Sequence, residues 1–207
     1  NQIHELNLKE NYVVVDLYVW FRWKRELKPN ETWTFIDGRI ESKTDAVKKT
    51  LADGSQYVCQ RVVVKVTKFW DVSRYPLDGH VLVLAVEEDE GEEHLVKYVA
   101  DTENSGIDPK VAMPGWALSI ENVTATTGHY KSNFGDTSIP TGKESRYARA
   151  VAKLSLQRAG VTYFVKVFFG VWVAAAIAFL CFFIKPTNVD PRFGLGVGAI
   201  FAAIASE

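Results

Sequence analysis

Residues 70–80, WDVSRYPLDGH, lie between two apolar runs, VVVKV at 62–66 and VLVLAV at 81–86. The runs read as strands, and a plain hairpin between them would need only a short Asn-Gly or Asp-Gly turn. This connection is instead long, charged, built around a proline and apolar at its centre. A loop with that composition has something to touch, and what it touches decides the fold.

Outward from the loop the pattern is β. Residues 12–23, YVVVDLYVWFRW, are rich in β-branched and aromatic side chains. Their alternation puts Asp16, Tyr18, Trp20 and Arg22 on one face and Leu17, Val19, Phe21 and Trp23 on the other. NETWTF follows, then strand patterns at 57–67, 81–88, 94–100, 116–126 and 147–157. The turn signals ADGS, EEDEGEE, NSGIDP, MPG and PTGKES separate them. Many short strands with regular turns predict a β-sandwich of the immunoglobulin-like kind. The one helical candidate in this part is short, 44–51.

Beyond residue 160 the chain changes character. Residues 167–184, VFFGVWVAAAIAFLCFFI, carry no charge and are framed by Lys166 and Lys185. About 18 apolar residues is the minimum for a helix that crosses a bilayer, and core helices are rarely apolar all round. Tyr163, Phe164 and Trp172 suit an interfacial belt. PTNVDPR turns the chain, and FGLGVGAIFAAIAS, uncharged and largely Gly and Ala, begins a second helix. The expected organisation is a sandwich over 1–160 and a membrane segment over 161–207. Its first helix would span about 161–185, and its second would start near 190.

A net charge of −1 gives no basic face for nucleic acid. No nucleophile motif or phosphate loop is present, so no enzyme is expected. Cys59 and Cys181 fall in unlike segments and are read as two buried thiols rather than a disulfide. The start, NQIHELNLKE, lacks the basic head and apolar middle of a signal peptide, so a signal has been removed or something upstream is missing.

A sandwich joined to a first membrane helix, with Tyr75-Pro76-Leu77-Asp78 at the centre of the loop, resembles the pentameric ligand-gated ion channels, the Cys-loop receptor superfamily. His80 stands where that family has Gln. Lys68 and Leu82 stand where its bracketing cysteines would be, as in prokaryotic members. YVVVDLYVWFRW, ETWTFIDG (with Asp37 in place of Asn), PGWALSIENV, LSLQRAGVTYFVKVFFG and DPRFGLGVGAIF resemble family segments in the family order. The usual proline of the first membrane helix is missing, with Gly170 near its place. The first strand is cut short at Asn1, and the chain stops inside the second of four expected helices.

The resemblance implies a set of roles. Asp78 and Arg158 would form a charge-assisted coupling link at the membrane end of the sandwich, with Arg74 and Glu10 joining it. The alternative is a salt bridge with no gating role. Tyr75, Pro76 and Leu77 would dip toward the membrane helices. A ligand site between subunits would draw Trp33, Phe35, Asp37 and the loop 131–146 from one side and Tyr18, Trp20 and Arg22 from the other. Its aromatic faces would suit a cation; the alternative is ordinary core packing. The acidic run Glu87, Glu88, Asp89, Glu90, Glu92 and Glu93 would bind calcium as a modulator, or be a solvated turn. No other cofactor is implied. Gly194, Gly198, Phe201 and Ala205 share one helical face. If it lines a pore, Phe201 is the hydrophobic constriction; the alternative is a helix-packing surface. Asp190 at the inner mouth favours cations, Arg192 two residues on favours anions, and the reading leans to cations.

The implied function is a subunit of a homopentameric ligand-gated channel in a bacterial inner (plasma) membrane, its sandwich on the periplasmic side. Its partners would be four more copies, the lipid bilayer, a small-molecule or ion ligand and permeant inorganic ions. The alternative is a membrane-anchored β-sandwich sensor that conducts nothing.

Overall fold

The computed structural model describes residues 2–44, 46–135 and 144–204. Among these, the strands are β1 (Gln2–Asn7), β2 (Tyr12–Trp23), β3 (Trp33–Phe35), β4 (Gly38–Lys43), β5 (Val47–Thr50), β6 (Gln56–Thr67), β7 (Gly79–Glu92), β8 (Trp116–Tyr130) and β9 (Ser145–Arg158). The helices are α1 (Gly160–Leu180) and α2 (Val189–Ile204), with a 3-10 turn, Cys181–Phe183, between them. The chain forms two compact units. One holds residues up to 71 and 79–157; the other holds 72–78 and the chain from 158 on.

The first unit is two antiparallel sheets. One runs β1-β2-β6-β4, with β5 also on β6; the other runs β3-β7-β9-β8. Strand alternation builds the core. Val13 and Val15 of β2 and Val62, Val64 and Val66 of β6 point one way and are buried. Trp33, Phe35, Leu82, Leu84, Leu154 and Leu156 of the other sheet complete one cluster with them. Each such apolar side chain contributes about 1.5–3 kcal/mol on burial, which is why this alternation fixes the register of β2 on β6.

Three local expectations are corrected. Residues 44–51 do not form a helix: Val47–Thr50 is an edge strand on β6, from Val47↔Cys59 to Thr50↔Gln56. Helix-forming lysines there are overridden by pairing with a long neighbour. Residues 94–100 are not a strand. The acidic run expected as the preceding turn instead extends β7 to Glu92. β1 and β4 are strands that the pattern did not single out, and both lie at edges where alternation is weak.

In the second unit, α1 and α2 run along one another. Their buried side chains among the described residues are small, Ala174 and Ala199. Tyr163–Phe183 is long and apolar enough to cross a membrane, by length and composition. Large side chains such as Phe169, Trp172, Phe179 and Phe182 stand exposed along it, each over 60%. Cys59 and Cys181 are free thiols, each partly exposed rather than buried as expected.

Candidate functional site

The loop 72–78 and the start of α1 belong to one unit, and their chemistry meets at Arg158. Its Nε donates to Asp78 Oδ1 at 2.6 Å and its Nη2 to Asp78 Oδ2 at 3.1 Å. The backbone N–H of Arg158 also bonds Asp78 O at 3.2 Å. The two side chains are 6% and 1% exposed. Burial pulls the Arg158 guanidinium down, but the hydrogen bond and charge of Asp78 and its neighbours outweigh that and leave it above the usual arginine value.

Two rings sheathe the cation. The guanidinium lies 4.9 Å from the Tyr75 ring and 5.2 Å from the Tyr163 ring. The Tyr75 hydroxyl hydrogen-bonds that of Tyr163, the largest reason its phenol sits above the ordinary value. The Tyr75–Pro76 peptide is cis. Tyr75 N–H to Val72 O and Leu77 N–H to Arg74 O, 2.9 and 2.8 Å, tighten the loop. Pro76 is buried, while Tyr75 and Leu77 are about half exposed. Arg74 is exposed, and Glu10 lies in the exposed β1–β2 turn, its N–H on Asn7 Oδ1.

The expected ligand residues separate. Trp33 and Phe35 are core side chains, each 4% exposed, so the aromatic wall expected of them is not on the surface of this chain. Trp33 Nε1 donates to Asn30 O at 3.0 Å. Asp37 is exposed beyond β3. Tyr18, Trp20 and Arg22 share the sheet face opposite the core. Trp20 Nε1 reaches Asp101 at 3.1 Å, and Arg22 grips Asp53 at 2.7 Å and Ser55 at 3.0 Å. Hydrogen bonds from Ser55 and Arg22 hold the Asp53 carboxyl well below the usual carboxylate range.

The acidic run is dispersed by the strand it occupies. Glu87 and Glu88 are adjacent in β7 and leave it on opposite faces. Glu88, 2% exposed, accepts from the Tyr98 hydroxyl at 2.9 Å. Glu93 accepts from Thr127 at 2.9 Å, and Asp89 and Glu90 are exposed. The Glu92 side chain lies outside the described ones. Among the described residues, no group of three His, Cys, Asp or Glu could hold a metal ion.

Glu87 instead anchors a network that the sequence reading missed. Its Oε2 accepts from Arg149 Nε at 2.7 Å and its Oε1 from the Tyr130 hydroxyl at 2.6 Å, while Arg149 Nη2 reaches the same hydroxyl at 3.1 Å. Burial and the bond to Glu87 push the Tyr130 phenol up. Gly128 leaves the room this needs, since a Cβ there would lie 2.1 Å from Glu87 Oε2. Above the network, the rings of Tyr130, Phe134 and Tyr147 lie 5.4–6.4 Å apart. Phe134 is 64% exposed and sits at φ 50°, a conformation disfavoured for a bulky residue. Ser132 Oγ and Asn133 Oδ1 hold that turn by accepting the N–H groups of Phe134 and Gly135. The signal for Arg149 was its place two residues after Tyr147 on the same strand face.

On α2, Asp190, Gly194, Gly198 and Phe201 are all exposed, while Arg192, Leu195, Gly196, Ala199 and Ala202 are wholly or partly covered. Ala205 lies outside the described residues. Neither a scan of protein-family models nor a search of curated proteins returned a match for this chain.

Proposed function

We propose that this chain is a subunit of a homopentameric ligand-gated ion channel of the prokaryotic type. In this reading the two sheets are an immunoglobulin-like sandwich on the periplasmic side of a bacterial inner membrane. α1 crosses the bilayer, and α2 lines a central pore. Ligand binding shifts the population from closed to open states.

The observation that carries the reading is the buried pair of Asp78 and Arg158. It ties the loop between β7 and the strand before it to the residue that leads into the apolar helix. A bidentate pair this dry transmits displacement, because separating its charges is costly. Two further features support it. The apolar surface of α1 suits lipid, and the exposed strip of Asp190, Gly194, Gly198 and Phe201 suits a pore, with Phe201 as the dewetting constriction. Residues 136–143 of the expected loop 131–146 lie outside the described ones, and the aromatic group of Tyr130, Phe134 and Tyr147 is the ligand face we assign, in place of Trp33 and Phe35.

The test is bilayer or oocyte recording of the full-length protein, across pH and with and without calcium, alongside its oligomeric state in detergent. A pentamer whose currents change on Phe201→Ala supports the channel and its pore face. A protein that is not pentameric sinks the reading and leaves a membrane-anchored sensor.

A further inference from the structure

The two ends of the loop 71–79 are held by aromatic rings. Trp70, which precedes it, and His80, which follows it, are 2% and 6% exposed. Their rings meet edge to face, 5.1 Å apart at 79°. The Trp116 ring lies 5.5 Å from that of His80. His80 is itself fixed in β7 opposite Leu156 of β9. The incoming end is tied as well: Asn11, at φ 59°, accepts Lys68 N–H on its backbone carbonyl at 2.9 Å and Trp70 N–H on its side chain at 3.3 Å. The Lys68 ammonium lies 5.5 Å from the Trp70 ring. Trp70 Nε1 is buried with no hydrogen-bond partner among the described residues. The indole's contacts here are the His80 ring and the Lys68 ammonium.

We propose that Trp70 and His80 form a non-covalent clamp that closes the neck of loop 71–79 and keeps its residues moving as one body. An edge-to-face pair adds attraction beyond the area it buries. With both cysteines free, no covalent bond closes this neck. The clamp stands on the ring geometry and holds whether or not the chain conducts ions.

Hydrogen exchange read by mass spectrometry on the full chain in nanodiscs tests it, with His80→Ala and His80→Phe. Amides of the loop, Tyr75 and Leu77 among them, should exchange roughly 2- to 10-fold faster in His80→Ala, the range set by one aromatic pair. β2 and β6 serve as the internal reference and should hardly change, and His80→Phe, which keeps a ring, should stay near the parent protein. Where alanine prevents folding, His80→Leu removes the ring while keeping volume. Unchanged loop exchange overturns the clamp. So does equal acceleration of β2 and β6, which would make His80 a plain core residue. Equal effects of Ala and Phe would assign the role to a polar contact of the imidazole and overturn it too.

Discussion

Arg158 holds Asp78 through two parallel bonds of 2.6 and 3.1 Å, with both side chains almost wholly out of water. Removing either partner takes from the other the opposite charge it faces in a dry site, so Asp78→Ala and Arg158→Ala should each destabilise the protein by about 3–5 kcal/mol. The double variant should lose clearly less than the sum, since the interaction between the two is counted in both single losses. A double-mutant cycle by denaturant unfolding in detergent checks this, and additive losses would show that the pair does not act as a unit.

Gly128 is the next test, because its missing side chain makes room for Glu87 and Arg149. A Cβ would lie 2.1 Å from Glu87 Oε2 and 2.6 Å from Arg149 Nη2. Both are ends of flexible side chains, so alanine fits only by parting them and freeing the Tyr130 hydroxyl. Gly128→Ala should cost about 1–3 kcal/mol, the range for disturbing a buried hydrogen-bonded group. In a Glu87→Ala background the same change should cost much less. Equal costs in the two backgrounds would rule out this account of the glycine.

How far the sequence reached follows from where each signal resides. β2 was legible because its alternation is a local property, and α1 because it is apolar on every side. β5 was not, since its four residues, exposed throughout, take their state from β6. The Asp78–Arg158 pair spans 80 residues and was reached only through resemblance. Glu87, Arg149 and Tyr130 are 62 and 43 residues apart, and Glu87 was hidden in an acidic run that reads equally as a solvated turn. Trp33 and Phe35 were misplaced because a two-residue spacing shares a face without saying which face is wet.

Phe134 separates function from stability. It is exposed and held at φ 50°, a cost that glycine avoids while adding freedom to the unfolded chain. Phe134→Gly should therefore change stability by no more than about 1 kcal/mol in either direction. If the ring is part of the ligand face, the same variant should weaken the response to any agonist found by recording. Tyr147→Ala should do likewise. A normal response from both variants would move the ligand site elsewhere.

Alkaline pH should loosen the sheet unit through two phenols. Burial and the neighbouring charge of Glu88 raise Tyr98, and burial with the bond to Glu87 raises Tyr130. A phenol raised on folding binds its proton more tightly in the folded state than in the unfolded chain. Its contribution is therefore complete below an unfolded value of about 10 and is lost as pH climbs toward the folded one. Unfolding midpoints should hold steady up to about pH 10 and fall beyond it. Tyr98→Phe removes the more deeply buried phenol and should flatten that fall, at the expense of leaving Glu88 without its donor and lowering stability at neutral pH. Tyr130→Phe should flatten it less. Ultraviolet titration of phenolate should show the corresponding groups ionising late in the folded protein and together once it unfolds. A parent protein whose alkaline fall is unchanged by both substitutions would mean that these two tyrosines do not set it.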